Sequence, residues 1–139
     1  MAIIKRPPHD DGPVNAGEQR LLDFLSVKLP DNFYIIPNCN IAITGPNRIM
    51  KYWEYDCLVV TPHAIYHIEN KDWAGNLGGD EYAWFRNGQE VANPHKTAGL
   101  KSRILASKIK NQHPDWNFGQ IITLVTLSHP QQSKFGLDP

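Results

Sequence analysis

Residues 54–71 read EYDCLVVTPHAIYHIENK. Two runs rich in β-branched and aromatic residues, 51–61 and 64–71, meet at Pro62-His63 and are expected to be neighbouring strands. A hairpin centred on that dipeptide sets Asp56 opposite Glu69 and Glu54 opposite Lys71. Side chains alternate along a strand, so these four share a face. Directly opposed residues have Cβ atoms roughly 5 Å apart. A slip of one residue would send the whole set to the other face, so everything rests on the turn. Pro-His is not among the favoured two-residue turns.

Two carboxylates that close repel each other unless something positive lies between them. A divalent cation is the simplest answer, because hard cations such as Mg²⁺ take carboxylate oxygens and fill the rest of their shell with water. Lys71 would then stand beside the cation. An ammonium there can orient or help deprotonate an attacking water, or stabilise the charge of the transition state. Two acids and a lysine beside a metal-bound water suit phosphodiester hydrolysis. The plainer alternative is a surface ladder, with Glu54 and Lys71 as an ion pair and Asp56 and Glu69 solvated. Leu58, Val59, Val60, Ile65, Tyr66 and Ile68 weigh against it. They make both faces apolar, as in strands buried on both sides, where an acid needs a partner.

Before this segment, Asn15 and Glu18 have capping-box spacing, and Leu21, Leu22, Leu25 and Leu29 follow at helical spacing up to Pro30. Glu18 lies on the leucine stripe. Residues 33–43 read as a strand interrupted by Pro37, hence edge or bulged. After the segment, 73–82 is Gly-rich turn sequence, and 82–91 reads as a short hairpin turning at Asn87-Gly88. Asn93-Pro94 opens a second helix running to about Asn111. FGQIITLVTLS (118–128) is apolar throughout, as in a buried central strand. The order gives an α/β fold with a mixed sheet flanked by helices.

The 139 residues make one domain's worth of chain, with ordinary globular proportions of hydrophobic (41%) and charged (20%) residues. Formal net charge is zero, which argues against a non-specific basic coat for nucleic acid while leaving room for an acidic site. Cys39 and Cys57 lack CxxC spacing, so zinc and redox motifs gain no support. No apolar run is long enough to span a bilayer or to match a signal-peptide core, and a cytoplasmic protein is expected. Residues 1–14, rich in Pro and Asp, are expected to be an extended arm. SHPQQSKFGLDP at the other end reads as a loop, which suggests the N-terminal part of a longer protein.

The wider pattern resembles the nuclease-related NERD family of the PD-(D/E)xK superfamily. Gly17-Glu18 opens the first helix. Glu54-x-Asp56, Leu58-Val59-Val60 and Thr61-Pro62 follow, then Ile65-Tyr66-x-Ile68-Glu69-x-Lys71-x-Trp73-x-Gly75. Gly79-Asp80, Trp84 and Asn93-Pro94 complete it. The likeness covers 17 to about 110. It implies a restriction-endonuclease-like αβββαβ core over 15–139. It also implies Mg²⁺ or Mn²⁺ held by Asp56, Glu69 and the main-chain carbonyl of Asn70, with Lys71 as the catalytic lysine. Glu18 would be an accessory acid, a role that competes with its capping-box reading. The substrate implied is DNA, with RNA as an alternative. The partners implied are further C-terminal domains of kinase or helicase-like type in a defence-related protein. The chain departs from the family at Asn70, where an apolar residue is usual, at Thr97, where Gln is common, and at Ala64, where Gly is common.

Other candidates have two readings each. His67 shares a face with Glu69 and is either a ligand or a polar packing residue. Trp73 and Trp84 either stack bases or pack under loops. Lys96, Arg103 and Lys110 recur along one face of the second helix, as phosphate contacts or as a solvated face. For the whole domain the rival to a nuclease is a catalytically silent module that docks nucleic acid or protein.

Overall fold

The computed structural model describes residues 1–7 and 16–127, and the backbone of 132–137. Its elements in chain order are β1 (Ile3–Ile4), α1 (Ala16–Lys28), β2 (Tyr34–Thr44), β3 (Met50–Val60), β4 (Ile65–Lys71) and β5 (Gly75–Gly79). There follow β6 (Trp84–Arg86), β7 (Gln89–Val91), α2 (Pro94–Gln112), β8 (Ile122–Leu127) and β9 (Gln132–Leu137). A five-stranded mixed sheet has the order β1-β2-β3-β4-β8, and a four-stranded sheet the order β7-β6-β5-β9. The αβββαβ core is therefore α1, β2, β3, β4, α2 and β8, a restriction-endonuclease-like arrangement, with β5 to β7 inserted before α2.

The two helices cover opposite faces of the larger sheet. Leu22 and Leu25 of α1 pack on Ile35, Cys57, Val59 and Ile68. Leu105 and Ile109 of α2 pack with Tyr55, Leu58, Ile65 and Ile121. Each strand between them carries apolar residues to both sides, which is why the segment 54–71 shows no polar face.

The β3–β4 hairpin adopts the register expected from the sequence, with Val60 opposite Ile65 and Cys57 opposite Ile68. Thr61 makes the unusual turn possible. Its Oγ1 accepts the N–H groups of His63 and Ala64, and its own N–H donates to the Ala64 carbonyl. A hydroxyl holding two turn amides replaces the usual turn residues. The second hairpin turns at Asn87-Gly88, both with positive φ (52° and 79°), the pairing that a tight two-residue turn requires. Asn93 caps α2, accepting the His95 N–H, with Pro94 at the first position.

Several expectations change. β8 lies at the edge of the larger sheet, paired with β4 alone among the described residues. Ile122 and Leu124 are about two-fifths exposed, so an apolar run here marks an edge and not the centre. The Gly-rich stretch expected as a turn contains β5, and the expected C-terminal loop contains β9, paired parallel to it. Within the expected N-terminal arm, Ile3 and Ile4 pair with Tyr34 and Ile35, and Ala2 is buried in the α1-side core. Asn15 lies outside the described residues, and with it the cap half of the capping box. Trp73 and Trp84 meet edge to face at 6.4 Å, with Trp84 also against His95, in keeping with the packing reading.

Gly17 fixes how closely α1 approaches the end of β4. A Cβ there would lie 2.7 Å from the Asp72 Cβ, closer than such atoms pack. Arg20 of the next turn donates to Asp72 Oδ1 at 2.6 Å, tying the helix to that point. A glycine inside a helix is unfavourable by roughly 0.5–1 kcal/mol relative to Ala, so close approach is the reason for it. Gly17→Ala is expected to lower thermal stability despite its better helix propensity, by about 1–3 kcal/mol as in overpacked sites. A melting curve unchanged or shifted upward would show that α1 can be displaced from β4 without loss.

Candidate functional site

The site begins where two strands part. The β3–β4 ladder ends at the Cys57–Ile68 pair. Beyond it each strand keeps only its other neighbour: β3 stays paired with β2, and β4 with β8, with Glu69 opposite Val125 and Asn70 opposite Thr126. Asp56 and Glu69 stand one step past the last pair, at the mouth of the opening. Pairing does not extend to Glu54, which is exposed, or to Lys71.

A coupled bend shapes this mouth. Along β2, Ile36 packs toward α2 and so do Cys39 and Ile41, which breaks the alternation between them. Along β3, Leu58 packs toward α2 and so do Tyr55 and Trp53. The break falls at Asn38, which has φ 49°, and at Asp56 across from it, the one position that the β2–β3 register skips between Pro37 and Cys39. Asn and Asp tolerate such conformations better than branched residues, and Pro37 beside Asn38 already removes one ladder donor. The bend places Asp56 beside Asn38, Glu18, Leu21 and Arg6 in a small pocket under α1.

Glu69 faces the other way, toward α2. Its Oε2 takes a hydrogen bond from His67 Nε2 at 3.0 Å, and its Oε1 takes one from Lys101 Nζ at 3.1 Å. His67 Nδ1 lies 2.9 Å from Ser102 Oγ, which lies 2.7 Å from Thr123 Oγ1. The two acids nonetheless act on each other. Burial, followed by the charge of Glu69, pushes Asp56 up to about 6, with Glu18 adding to the rise. The Asn70 N–H, donated to Asp56 Oδ2 at 2.9 Å, opposes that rise. Burial would also raise Glu69, but the His67 hydrogen bond and the Lys101 charge outweigh it and hold the carboxyl below its ordinary value.

The shared face expected for Asp56 and Glu69 does not hold: alternation breaks at Asp56, which sits on the α1 side with Glu18 while Glu69 points toward α2, and what joins the three is their charge. The Lys71 ammonium lies over the Trp73 ring, 5.8 Å from its centroid. Asn70 is buried. Its Oδ1 accepts the Thr126 hydroxyl, while its Nδ2 has no partner, so the polar substitution at this position is half satisfied. Lys96, Arg103 and Lys110 are exposed on α2, and Arg103 and Lys110 border a groove of about 450 Å³ with Phe118 to Ile121.

Lys101, Ser102 and Thr123 were not singled out from the sequence. A signal for two of them was present. Ala98, Lys101, Ser102 and Leu105 recur at three- and four-residue spacing, so Lys101 and Ser102 interrupt the apolar stripe of α2 as Glu18 extends that of α1.

Whether a divalent cation fits can be judged from the donors. Two carboxylates, one of them pushed up by burial and then by the other's charge, are the oxygen ligands that hard cations take. Among the described residues no three His, Cys, Asp or Glu side chains gather closely enough to hold a metal by themselves. A cation here would have these two acids as its side-chain ligands, with main-chain oxygen and water in the remaining positions, and would share Glu69 with His67 and Lys101.

No curated protein matches the chain significantly, and no solved structure does. The family model described as "Nuclease-related domain" matches residues 13–128, from before α1 through β8. That span takes in the whole core together with the strand opening that holds Asp56 and Glu69, and the chain belongs to the NERD, or nuclease-related domain, family.

Proposed function

We propose that this domain is a metal-dependent nuclease that hydrolyses phosphodiester bonds of DNA. The observation that carries the reading is the acid pair at the strand opening, where burial and the charge of Glu69 keep Asp56 from ionising at its ordinary value. Asp56 and Glu69 would hold Mg²⁺ or Mn²⁺, aided by the main-chain carbonyl of Asn70. When bound, the cation would lower the pKa of a water and neutralise charge on the phosphate. Lys71 would swing from Trp73 to orient that water and stabilise the charged oxygens on the five-coordinate phosphorus. The water would give up a proton as its oxygen bonds to phosphorus and the bond to one sugar oxygen breaks, and that sugar oxygen would leave with a proton in its place. Glu18 would be the accessory acid beside Asp56. Lys96, Arg103 and Lys110 would meet phosphates along the outer face of α2. We infer a cytoplasmic setting, in keeping with free thiols at Cys39 and Cys57, and a place in a larger polypeptide with kinase or helicase-like partners. No helix among the described residues is long and apolar enough to cross a membrane.

One observation favours the rival reading of a silent binding module. Lys101 already neutralises Glu69, and Lys71 rests on Trp73, so Glu69 is charge-satisfied without a metal. Cleavage of linear and supercoiled DNA with Mg²⁺, Mn²⁺ or EDTA decides between the two. DNA binding with no cleavage in either metal would leave the silent module.

The linkage of Asp56 gives a pH test. Its folded-state pKa is raised from 3.8 to about 6, so the stability it contributes is present at low pH and is lost as pH rises through 6. In EDTA at pH 7.5, Asp56→Asn is expected to melt higher than wild type, with the gap closing as pH falls below 6. Mn²⁺ at millimolar concentration should raise the wild-type melting temperature and leave that of Asp56→Asn unmoved. An unmoved wild type would speak for the silent module. Lys71→Ala is expected to keep metal and DNA binding but to lose roughly 100-fold or more in single-turnover cleavage, the scale of a removed electrostatic group. Equal rates would mean that Lys71 is not the catalytic lysine.

A further inference from the structure

His67 is wholly buried, yet both of its ring nitrogens are engaged. One edge of the ring meets Tyr55, with centroids 5.0 Å apart, and the Tyr55 hydroxyl donates to the Lys101 carbonyl. The polar chain it joins spans three elements: Thr123 on β8, Ser102 on α2, and His67 and Glu69 on β4. The chemistry of its end sets its direction. An ionised carboxylate only accepts, so Nε2 carries the proton that goes to Glu69 Oε2. With the ring neutral, the Ser102 hydroxyl then donates to Nδ1, and the Thr123 hydroxyl to Ser102 Oγ. Each member satisfies the next, which is what a buried polar chain needs in order not to destabilise the core.

We propose that His67, aligned by Ser102 and Thr123, is a positioning residue that fixes Glu69 for cation binding. The proposal rests on the nuclease reading above. The chain could have been replaced by apolar side chains of the same volume, as in the rest of the α2-side core. Instead it runs to the one acid of β4 that stands at the strand opening. It grips Oε2 from the fully buried side, whereas Lys101, with its side chain 15% exposed, takes Oε1 from the side nearer solvent. The two oxygens of this largely buried carboxylate are thus held from opposite sides. Acids that ligate metals are commonly held by such outer partners, whose loss weakens metal binding by roughly 10- to 100-fold.

The test measures Mn²⁺ affinity by calorimetry, with the melting temperature in EDTA, for wild type, Ser102→Ala, Thr123→Val and the exposed control Ser107→Ala. Ser102→Ala is expected to weaken Mn²⁺ binding by roughly 10-fold or more, Thr123→Val by less, and Ser107→Ala not at all. A merely structural role would lower the EDTA melting temperature of Ser102→Ala while leaving its Mn²⁺ affinity at the wild-type value, and that result would overturn the proposal alone. A wild type that takes up no Mn²⁺ would overturn both this and the nuclease reading. If Ser102→Ala does not fold, ¹⁵N NMR of the wild-type histidine rings still decides. The metal-free His67 is expected with its proton on Nε2, and a proton on Nδ1 alone would refute the chain as drawn.

Discussion

The hydrogen bond from the Asn70 amide to Asp56 Oδ2 stands where β3 and β4 stop pairing with each other and part, each keeping its outer neighbour, β2 or β8. Two strands can diverge inside a core only if the backbone groups freed between them find other partners. Here a carboxylate takes over the acceptor's part from a carbonyl. The same bond therefore closes the sheet's accounts and holds an acid at the opening. The bend at Asn38, the close approach of α1 at Gly17 and the reach of α2 toward Glu69 all converge on this gap. Without the divergence, Asp56 and Glu69 would be an ordinary like-charge pair across a ladder.

Much of this was legible in the segment 54–71, because the hairpin register followed from the hydrophobic pattern on both strands even though the turn was of an unfavoured kind. What the pattern could not show was Thr61 supplying the turn's hydrogen bonds, since a side-chain acceptor leaves no periodic trace. The expectation that Glu54 and Lys71 continue the ladder assumed regular alternation, and alternation fails at Asn38 and Asp56. β8 looked central because it is apolar on both faces, but faces and edges are independent. Among the described residues β8 pairs with β4 alone, and its Ile122 and Leu124 stay about two-fifths exposed. The β5 glycines looked like a turn because composition speaks for local preference, and pairing with the distant β9 overrides it. Lys101 and Ser102 escaped notice because a helix stripe was read for its apolar members only.

Helix α2 has different work on its two sides. Lys101 and Ser102 turn inward to Glu69 and His67, while Arg103, the next residue, faces out with Lys96 and Lys110. Its rotation about its own axis is therefore constrained by the buried polar chain more tightly than by Leu105 and Ile109, because hydrogen bonds fix angle where apolar contacts tolerate sliding. The Asn93 cap and Pro94 set the same phase from the helix start.

The parallel pairing of β5 with β9 also bears on how the chain reaches its final form. β5, β6 and β7 are joined by short connections and can assemble as soon as they are made, but β9 follows only after α2 and β8. Until then one edge of β5 stands open, and such an edge is a template for association with other chains. Three of the five residues of β5 are glycine, so the waiting edge carries little side chain with which to recruit a stray strand. A weak strand is an advantage in that position: it pairs when a partner is delivered by the topology, and it resists aggregation in the interval.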